Sequence, residues 1–337
     1  MKKSIVMAAA LSLFFGAALA AQAQSEAVGA SRHVDGSSTI RVIDQVMTVS
    51  GRLSVGLAVG SAQETVRMPP ELIGLLPRQS NLISKLTWDI DNVVMLGGGA
   101  SVRPLSWLKF NADVAVAVTE GDGNLEDYDY MASNSDTWTH YSVSGADVKD
   151  GLMFDVNAEL KFLQYQKTSV FGIVGYKHDK WSWEANGGQY IYSTYYLRDT
   201  YGSISGDRPV ISYEQTFDTP YIGVGFSTDL SRVSLSGRFI FSTLVSADAE
   251  DTHHLRALHY EDDMDDGRMI GFDLALTAPL TKNLSLIGAY HYHKYDDLDG
   301  NETITDLTTG QSEYIDYNIA GMDQSLSVFS LWVAYSF

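Results

Sequence analysis

LMFDVNAELKF, residues 152–162, alternates strictly between two kinds of side chain. Leu152, Phe154, Val156, Ala158, Leu160 and Phe162 take the even positions; Met153, Asp155, Asn157, Glu159 and Lys161 take the odd ones. Successive side chains of an extended chain point to opposite faces, so this stretch predicts a strand with one oily and one wet face. Residues 110–119 repeat the pattern, with Phe110, Ala112, Val114, Val116 and Val118 on one side and Asn111 and Asp113 on the other. Residues 233–245 and 270–278 do the same. A water-soluble sandwich would also alternate, but strands of about ten residues or more are long enough to cross a bilayer when tilted. Strands are expected near 50–68, 80–101, 108–119, 150–163, 168–192, 209–227, 232–246, 268–279, 283–295 and 322–337, ten in all. Short turns such as VRPLSW (102–107), QYQK (164–167), TDLS (228–231) and PLTKN (279–283) alternate with long polar connections. The expected fold is therefore all-β: a ten-stranded antiparallel transmembrane β-barrel with long extracellular loops and short periplasmic turns, closed so that no backbone edge is left unpaired in lipid.

The two ends of the chain agree. The C-terminal run SLSVFSLWVAYSF places Phe329, Leu331, Val333, Tyr335 and Phe337 on one face. A terminal Phe with an aromatic residue two positions earlier resembles the assembly signal of bacterial outer-membrane barrels. At the N-terminus, Lys2 and Lys3 precede the apolar run SIVMAAALSLFFGAALA, and Ala21-Gln22-Ala23 fits a signal-peptidase site. Residues 1–23 are expected to be a signal peptide, 24–47 an N-terminal extension and 48–337 the barrel.

The 337 residues carry 23 Lys plus Arg against 42 Asp plus Glu, a net charge of −19. Removing Lys2 and Lys3 with the signal peptide, and no acid, takes the charge to −21. Such a chain does not suit nucleic acid, whose phosphates need a basic surface. Without cysteine it has no disulfide, thiolate metal site or cysteine nucleophile. Three segments expected as external loops hold most of the acid: 119–150 (eight acids, one Lys), 246–268 (eight acids, two Arg) and 295–322 (seven acids, no base). They can serve simply as solvated loops, or form a negative mouth that concentrates cationic peptides. A calcium loop is a third reading, since DDLDGNETITDL from Asp296 imitates an EF-hand, but Gly300 is misplaced and the closing Glu is missing.

Two clusters carry possible chemistry: Glu126-Asp127-Tyr128-Asp129-Tyr130 and Glu250-Asp251-Thr252-His253-His254. In an extended segment residues i and i+2 share a side, which brings Asp127 beside Asp129 and Asp251 beside His253. A carboxylate next to a His orients the ring as a general base. Two adjacent carboxylates cannot both ionise cheaply and can share a proton. Accidental neighbours in acidic loops would look the same. A zinc site built from His253 and His254 lacks helical HEXXH spacing.

The chain resembles the omptin family, outer-membrane endopeptidases of Gram-negative bacteria. The resemblance runs from about Ser54 to Phe337 and is carried by GYKHDKWSWEANGGQYIYST (175–194), LTWDIDN (86–92), GNLEDYDYM (123–131), TWT (137–139) and PYIGVGFS (220–227). It implies a groove at the top of the barrel, facing outside the cell, with catalytic roles on Asp127, Asp129, Asp251 and His253, an attacking water and no metal. It also implies cationic peptide or protein substrates cut after a basic residue. Glu64 then lies at the bottom of the pocket for that residue, with Asp248 or Glu250 as its second acid. His140 stands where the family has an acid selecting the residue beyond the cut, and Ser142 lines the groove. No cofactor is implied, but lipopolysaccharide, as the outer-membrane lipid partner, is an activator in the family. Tyr176 and Lys180 match two of its contacts, with Lys for Arg; His178 replaces a Glu, Thr216 an Arg and Asp265 a Lys. An inactive barrel serving as adhesin or structural protein is the alternative. A diffusion porin is a third class, disfavoured by inward charges such as Asp155, Glu159, Lys161 and Arg238, which suggest a filled lumen.

Overall fold

The structure, a computed structural model, describes residues 47–337. The expected signal peptide and nearly all of the expected N-terminal extension lie outside the described residues. Among the described residues there are eleven strands: β1 (Thr48–Arg67), β2 (Leu82–Leu105), β3 (Leu108–Ala117), β4 (Gly121–Asp129), β5 (His140–Tyr165), β6 (Thr168–Tyr192), β7 (Thr200–Asp229), β8 (Ser234–His253), β9 (Leu258–Pro279), β10 (Leu284–Asp306) and β11 (Gln311–Ser336). One helical turn, α1 (Pro70–Ile73), sits in the connection from β1 to β2. β3 and β4 lie end to end between β2 and β5, so the eleven segments build ten staves. Each strand pairs antiparallel with its neighbours, and β1 closes the ring on β11 from Ser50↔Ser336 to Val66↔Ala320.

The outward residues of the lower barrel form an apolar belt. Leu53, Val55, Phe110, Val174, Ile222, Val224, Phe239, Phe272, Leu331 and Val333 are all exposed on it. Inside the belt the lumen is polar and internally bonded. Arg52 pairs with Asp113 and also reaches Ser101 Oγ at 2.6 Å. Tyr221 donates to Asp155 at 2.8 Å, Arg238 Nη2 lies 2.7 Å from Asp273, and Lys109 lies 3.2 Å from Glu159. Asp155, Glu159 and Arg238 thus fill the interior as their alternation suggests. Above them Trp181, Phe217, Tyr295, Met264 and Met269 are fully buried, with Phe217 stacked on Tyr295 at 4.2 Å. This deck lies between the polar lumen and the upper barrel.

Two differences from the sequence expectation matter for the site. First, the segments expected as long loops are mostly strand. β4–β5, β8–β9 and β10–β11 run far past the belt, and β5 alone has 26 residues, against the roughly 9–11 needed to cross lipid. Above the belt both faces meet water, so the oily/wet contrast that marks a strand disappears while the backbone ladder continues. The EF-hand-like stretch is likewise part of β10. Second, the alternation slips just above the belt on β8, β9 and β10. On β8 the inward set runs Ile240, Ser242, then Val245, Ala247, Ala249, Asp251. On β9 it runs Met269, Gly267, then Met264 and Asp262, and on β10 it runs His293, Tyr295, then Leu298, Gly300, Glu302. Asp266 and Asp297 take left-handed φ values of 58° at these slips. Bulges of this kind re-aim side chains.

At Gly60 in the closing seam only glycine fits. A Cβ on Gly60 would sit 2.1 Å from the Ser325 carbonyl oxygen. Gly60→Val is therefore expected to abolish the compact form that migrates faster on a gel before boiling than after. Gly172→Val, which meets nothing within 4 Å, is expected to keep it. A normally migrating Gly60→Val barrel would contradict this seam.

Candidate active site

The ladders above the deck bring the candidate residues together from distant parts of the chain. Glu64 on β1 is the register partner of Leu86, Leu86 is the partner of Asp127, and Asp127 is the partner of Ser142. Asp129 is opposite His140. On the other side of the groove Tyr213, Asp251 and Tyr260 form one cross-strand row. Trp88, Trp183 and Tyr213 stack beneath, with Trp88 5.3 Å from Tyr213 and Trp183 5.7 Å from it. The site thus rests on hydrogen-bonded strands and a buried aromatic layer.

His253 Nε2 lies 2.9 Å from Asp251 Oδ2, and its ring packs 5.1 Å from Tyr260. Burial works against a charged imidazole, but the charge and hydrogen bond of Asp251, aided by Asp127, outweigh it and hold the His253 pKa above the ordinary value. Asp127 and Asp129 are nearly buried on the opposing wall. Burial and then the Asp129 charge push the Asp127 pKa to about 7, with His253 and Arg256 pulling the other way. The two clusters therefore share one electrostatic environment, with a pair that can hold a proton facing a base that can take one.

Arg256 is an exposed residue of the β8–β9 turn whose charge reaches both Asp127 and His253. It was not anticipated, because an isolated Arg in a turn carries no motif. His140 Nδ1 lies 2.9 Å from Thr139 Oγ1, and its ring stands 4.9 Å from Tyr192. Ser142 is buried beside Asp127. His254 lies outside this constellation and is 2.7 Å from Ser212.

Asp248 and Glu250 do not line the groove. Both are exposed on the outer face of β8, while Ala247, Ala249 and Asp251 point inward. The strand's period of two forces this, since 248 and 250 differ in parity from Asp251. The inward acids beside Glu64 are instead Asp262 and Glu302. Burial raises the Glu64 pKa well above its usual value, reinforced by Asp251, Asp262, Glu302 and Asp127. Asp262 is raised in the same way by burial, Glu302 and Asp251.

On the outer wall the side chains matched to lipid contacts face acids. Tyr176 donates to Asp218, which also lies 2.8 Å from His178 Nδ1, and Lys180 pairs with Glu214. Thr216 is opposite Asp248 in the ladder, and Asp248 is raised in pKa by burial, then by Asp263, Asp218, Asp265 and Glu250.

The inward acids act against folding. Glu302 is held to about 7 by burial and Asp251. An acid with a raised folded-state pKa loses stability as pH climbs from its unfolded value to its folded one, and the penalty is complete above both. From 4.5 to about 7 this amounts to ~3 kcal/mol at most. Glu302→Gln is expected to melt at a higher temperature than the parent at pH 8, with the difference vanishing near pH 4. An equal or lower melting temperature at pH 8 would contradict it.

The geometry has close relatives. The family model described as the Omptin family matches residues 45–337. The plasminogen activator of Yersinia pestis is 31% identical over 260 residues, spanning 76% of this chain and 81% of the relative. The outer membrane protease OmpP of Escherichia coli strain K12 is 28% identical over 211 residues, 62% of this chain and 65% of the relative. The crystal structure of the outer membrane protease OmpT from Escherichia coli matches this fold with a TM-score of 0.79 at 24% identity, covering 86% of this chain and 97% of that one. The chain belongs to the omptin family.

Proposed function

We propose that this outer-membrane omptin endopeptidase cleaves peptide bonds after Arg or Lys with a water activated by His253. The observation that carries the reading is the 2.9 Å His253–Asp251 contact opposite the Asp127–Asp129 pair. Donation of the Nε2 proton to Asp251 leaves Nδ1 as the acceptor, so the ring is fixed in tautomer and direction. Nδ1 takes a proton from the water while its oxygen adds to the scissile carbonyl carbon. The proton kept on Asp127 up to about pH 7 hydrogen-bonds the developing oxyanion. His253 then passes its proton to the leaving amine as the C–N bond breaks.

The acidic floor at Glu64 supports selection of a cationic side chain before the cut, because charge-assisted hydrogen bonds are worth roughly 1.5–3 kcal/mol each. Beyond the cut, His140, Tyr192 and the nearby Arg256 offer no comparable demand for a basic residue. A fluorogenic peptide with adjacent arginines, incubated with refolded protein, separates this reading from an inactive adhesin or structural barrel. His253→Ala and Asp127→Asn are each expected to lower the rate by at least about 10²-fold while the barrel still folds. Near-normal turnover by folded His253→Ala protein would refute the role of the ring.

Lipopolysaccharide is proposed as a weaker activator here than the family resemblance implies. Lys180 and His178 already face Glu214 and Asp218, and Lys is a point charge where Arg would grip phosphate bidentately. One lost Arg–phosphate contact removes about 1–3 kcal/mol, roughly 5- to 150-fold in affinity. Titrating lipid-free protein with phosphorylated and dephosphorylated lipopolysaccharide is expected to give weak activation with little dependence on phosphate. Tight, saturable, phosphate-dependent activation would contradict it.

A further inference from the structure

Beneath the His253–Asp251 pair the groove contains more acid than the reaction uses. Asp262 on β9 and Glu302 on β10 are register partners, and Asp262 is also the partner of Ala249 on β8. All three point inward. Ala249 is the inward residue next to Asp251 on its own strand, so β8 presents a methyl group there and the adjacent strand supplies the carboxylate. Glu64 adds a third acid from β1. These groups are 3% (Glu64), 5% (Asp262) and 2% (Glu302) exposed. Glu64 Oε2, Asp262 Oδ1 and Glu302 Oε1 are each buried without a hydrogen-bond partner among the described residues. The charges that act most strongly on Glu64 are all acids: Asp251, Asp262, Glu302 and Asp127. Among the described residues no three His, Asp or Glu side chains are grouped as metal ligands.

Buried, unpartnered carboxylate oxygens are costly, and a donor-rich cation satisfies them. We infer that Asp262 and Glu302, together with Glu64, form the pocket for the basic side chain preceding the cut, and that their placement on three strands selects a guanidinium over an ammonium. The inference rests on the proposed cleavage after basic residues and names the groups that enforce it. A guanidinium offers five N–H donors in a fixed plane, able to reach three walls at once; an ammonium concentrates three donors at one point and is more strongly hydrated. Three close carboxylates do not ionise together in an empty pocket, so entry of the cation expels protons. Burial raises all three pKa values, and neighbouring acids add to it: Asp251, Asp262 and Glu302 at Glu64, Glu302 and Asp251 at Asp262, and Asp251 at Glu302. Arg-dependent binding therefore tightens as pH rises.

The test uses three peptides that differ only before the cut, carrying Arg, Lys or citrulline. Citrulline keeps the shape of Arg without its charge. kcat/KM is measured for the full-length protein, Glu64→Gln, Asp262→Asn, Glu302→Gln and the outer-face control Glu261→Gln. The parent is expected to favour Arg over citrulline by about 100-fold or more and Arg over Lys by about tenfold. Asp262→Asn and Glu302→Gln should each reduce the Arg-to-citrulline ratio by about tenfold or more, mainly through KM, and Glu261→Gln should leave it unchanged. Register partners have Cβ atoms about 4.5–5.5 Å apart, so adding Ala249→Asp to Asp262→Asn should restore Arg preference. An unchanged ratio in the Asp262 and Glu302 variants, with a reduced one in Glu64→Gln, would overturn the inference and leave the basic-residue reading standing. A parent that does not distinguish Arg from citrulline would remove both. If the variants do not fold, the parent decides alone: KM for the Arg peptide must fall relative to that for citrulline between pH 5 and 8, and a flat ratio overturns the inference.

Discussion

Closure of the sheet on itself is the constraint on which the rest of this protein depends. Once β1 pairs with β11 from Ser50 to Val66, every strand residue faces either the interior or the surroundings. A one-residue slip would exchange the two sets along a whole strand. In the lower barrel that would turn Arg52, Asp113, Asp155 and Arg238 toward lipid, where an unpaired charge is prohibitive. The register is therefore set where the membrane is, and the same strands continue it into water with a change of phase at the slips on β8, β9 and β10. Above the belt the slip between Ser242 and Val245 turns Asp251 and His253 inward, where they share the groove with Asp127.

The upper barrel spends part of that stability on function. Glu64, Asp127, Asp251, Asp262 and Glu302 each keep a buried oxygen without a hydrogen-bond partner among the described residues. A fold selected for stability alone would pair or neutralise them. The stacked Trp88, Trp183 and Tyr213 and the deck of Trp181, Phe217 and Tyr295 support these groups from below. They lie between the groove and the polar lumen that holds Arg238 and Lys177.

Where one face meets lipid, the strands are legible in the sequence, and the turns on the periplasmic side fall where short polar stretches, two of them with Pro, place them. Above the belt the hydropathy contrast vanishes, so β4 and the upper halves of β5 and β8–β11 read as acidic loops. The four candidate acid–base residues could be named because i and i+2 share a face and the family resemblance fixed which pair mattered. Asp248 and Glu250 face outward by that same parity rule, counted from Asp251. Asp262 and Glu302 were hidden by a different cause. Counting alternate residues upward from Met269 would place Asp263 and Asp265 inside; the slip at Asp266 reverses this, and the one at Asp297 does the same on β10. In EDDMDDGR every candidate is an acid, so the sequence does not reveal where the phase changes.

The measurement that tests this account most directly is an experimental structure of the protein bound to a peptide whose scissile amide is replaced by a non-cleavable bond after an arginine. The account predicts the guanidinium among Glu64, Asp262 and Glu302, and the replaced bond between His253 and Asp127. A peptide whose arginine points to solvent or to the outer face of β8, with the inward carboxylates left untouched, would contradict it.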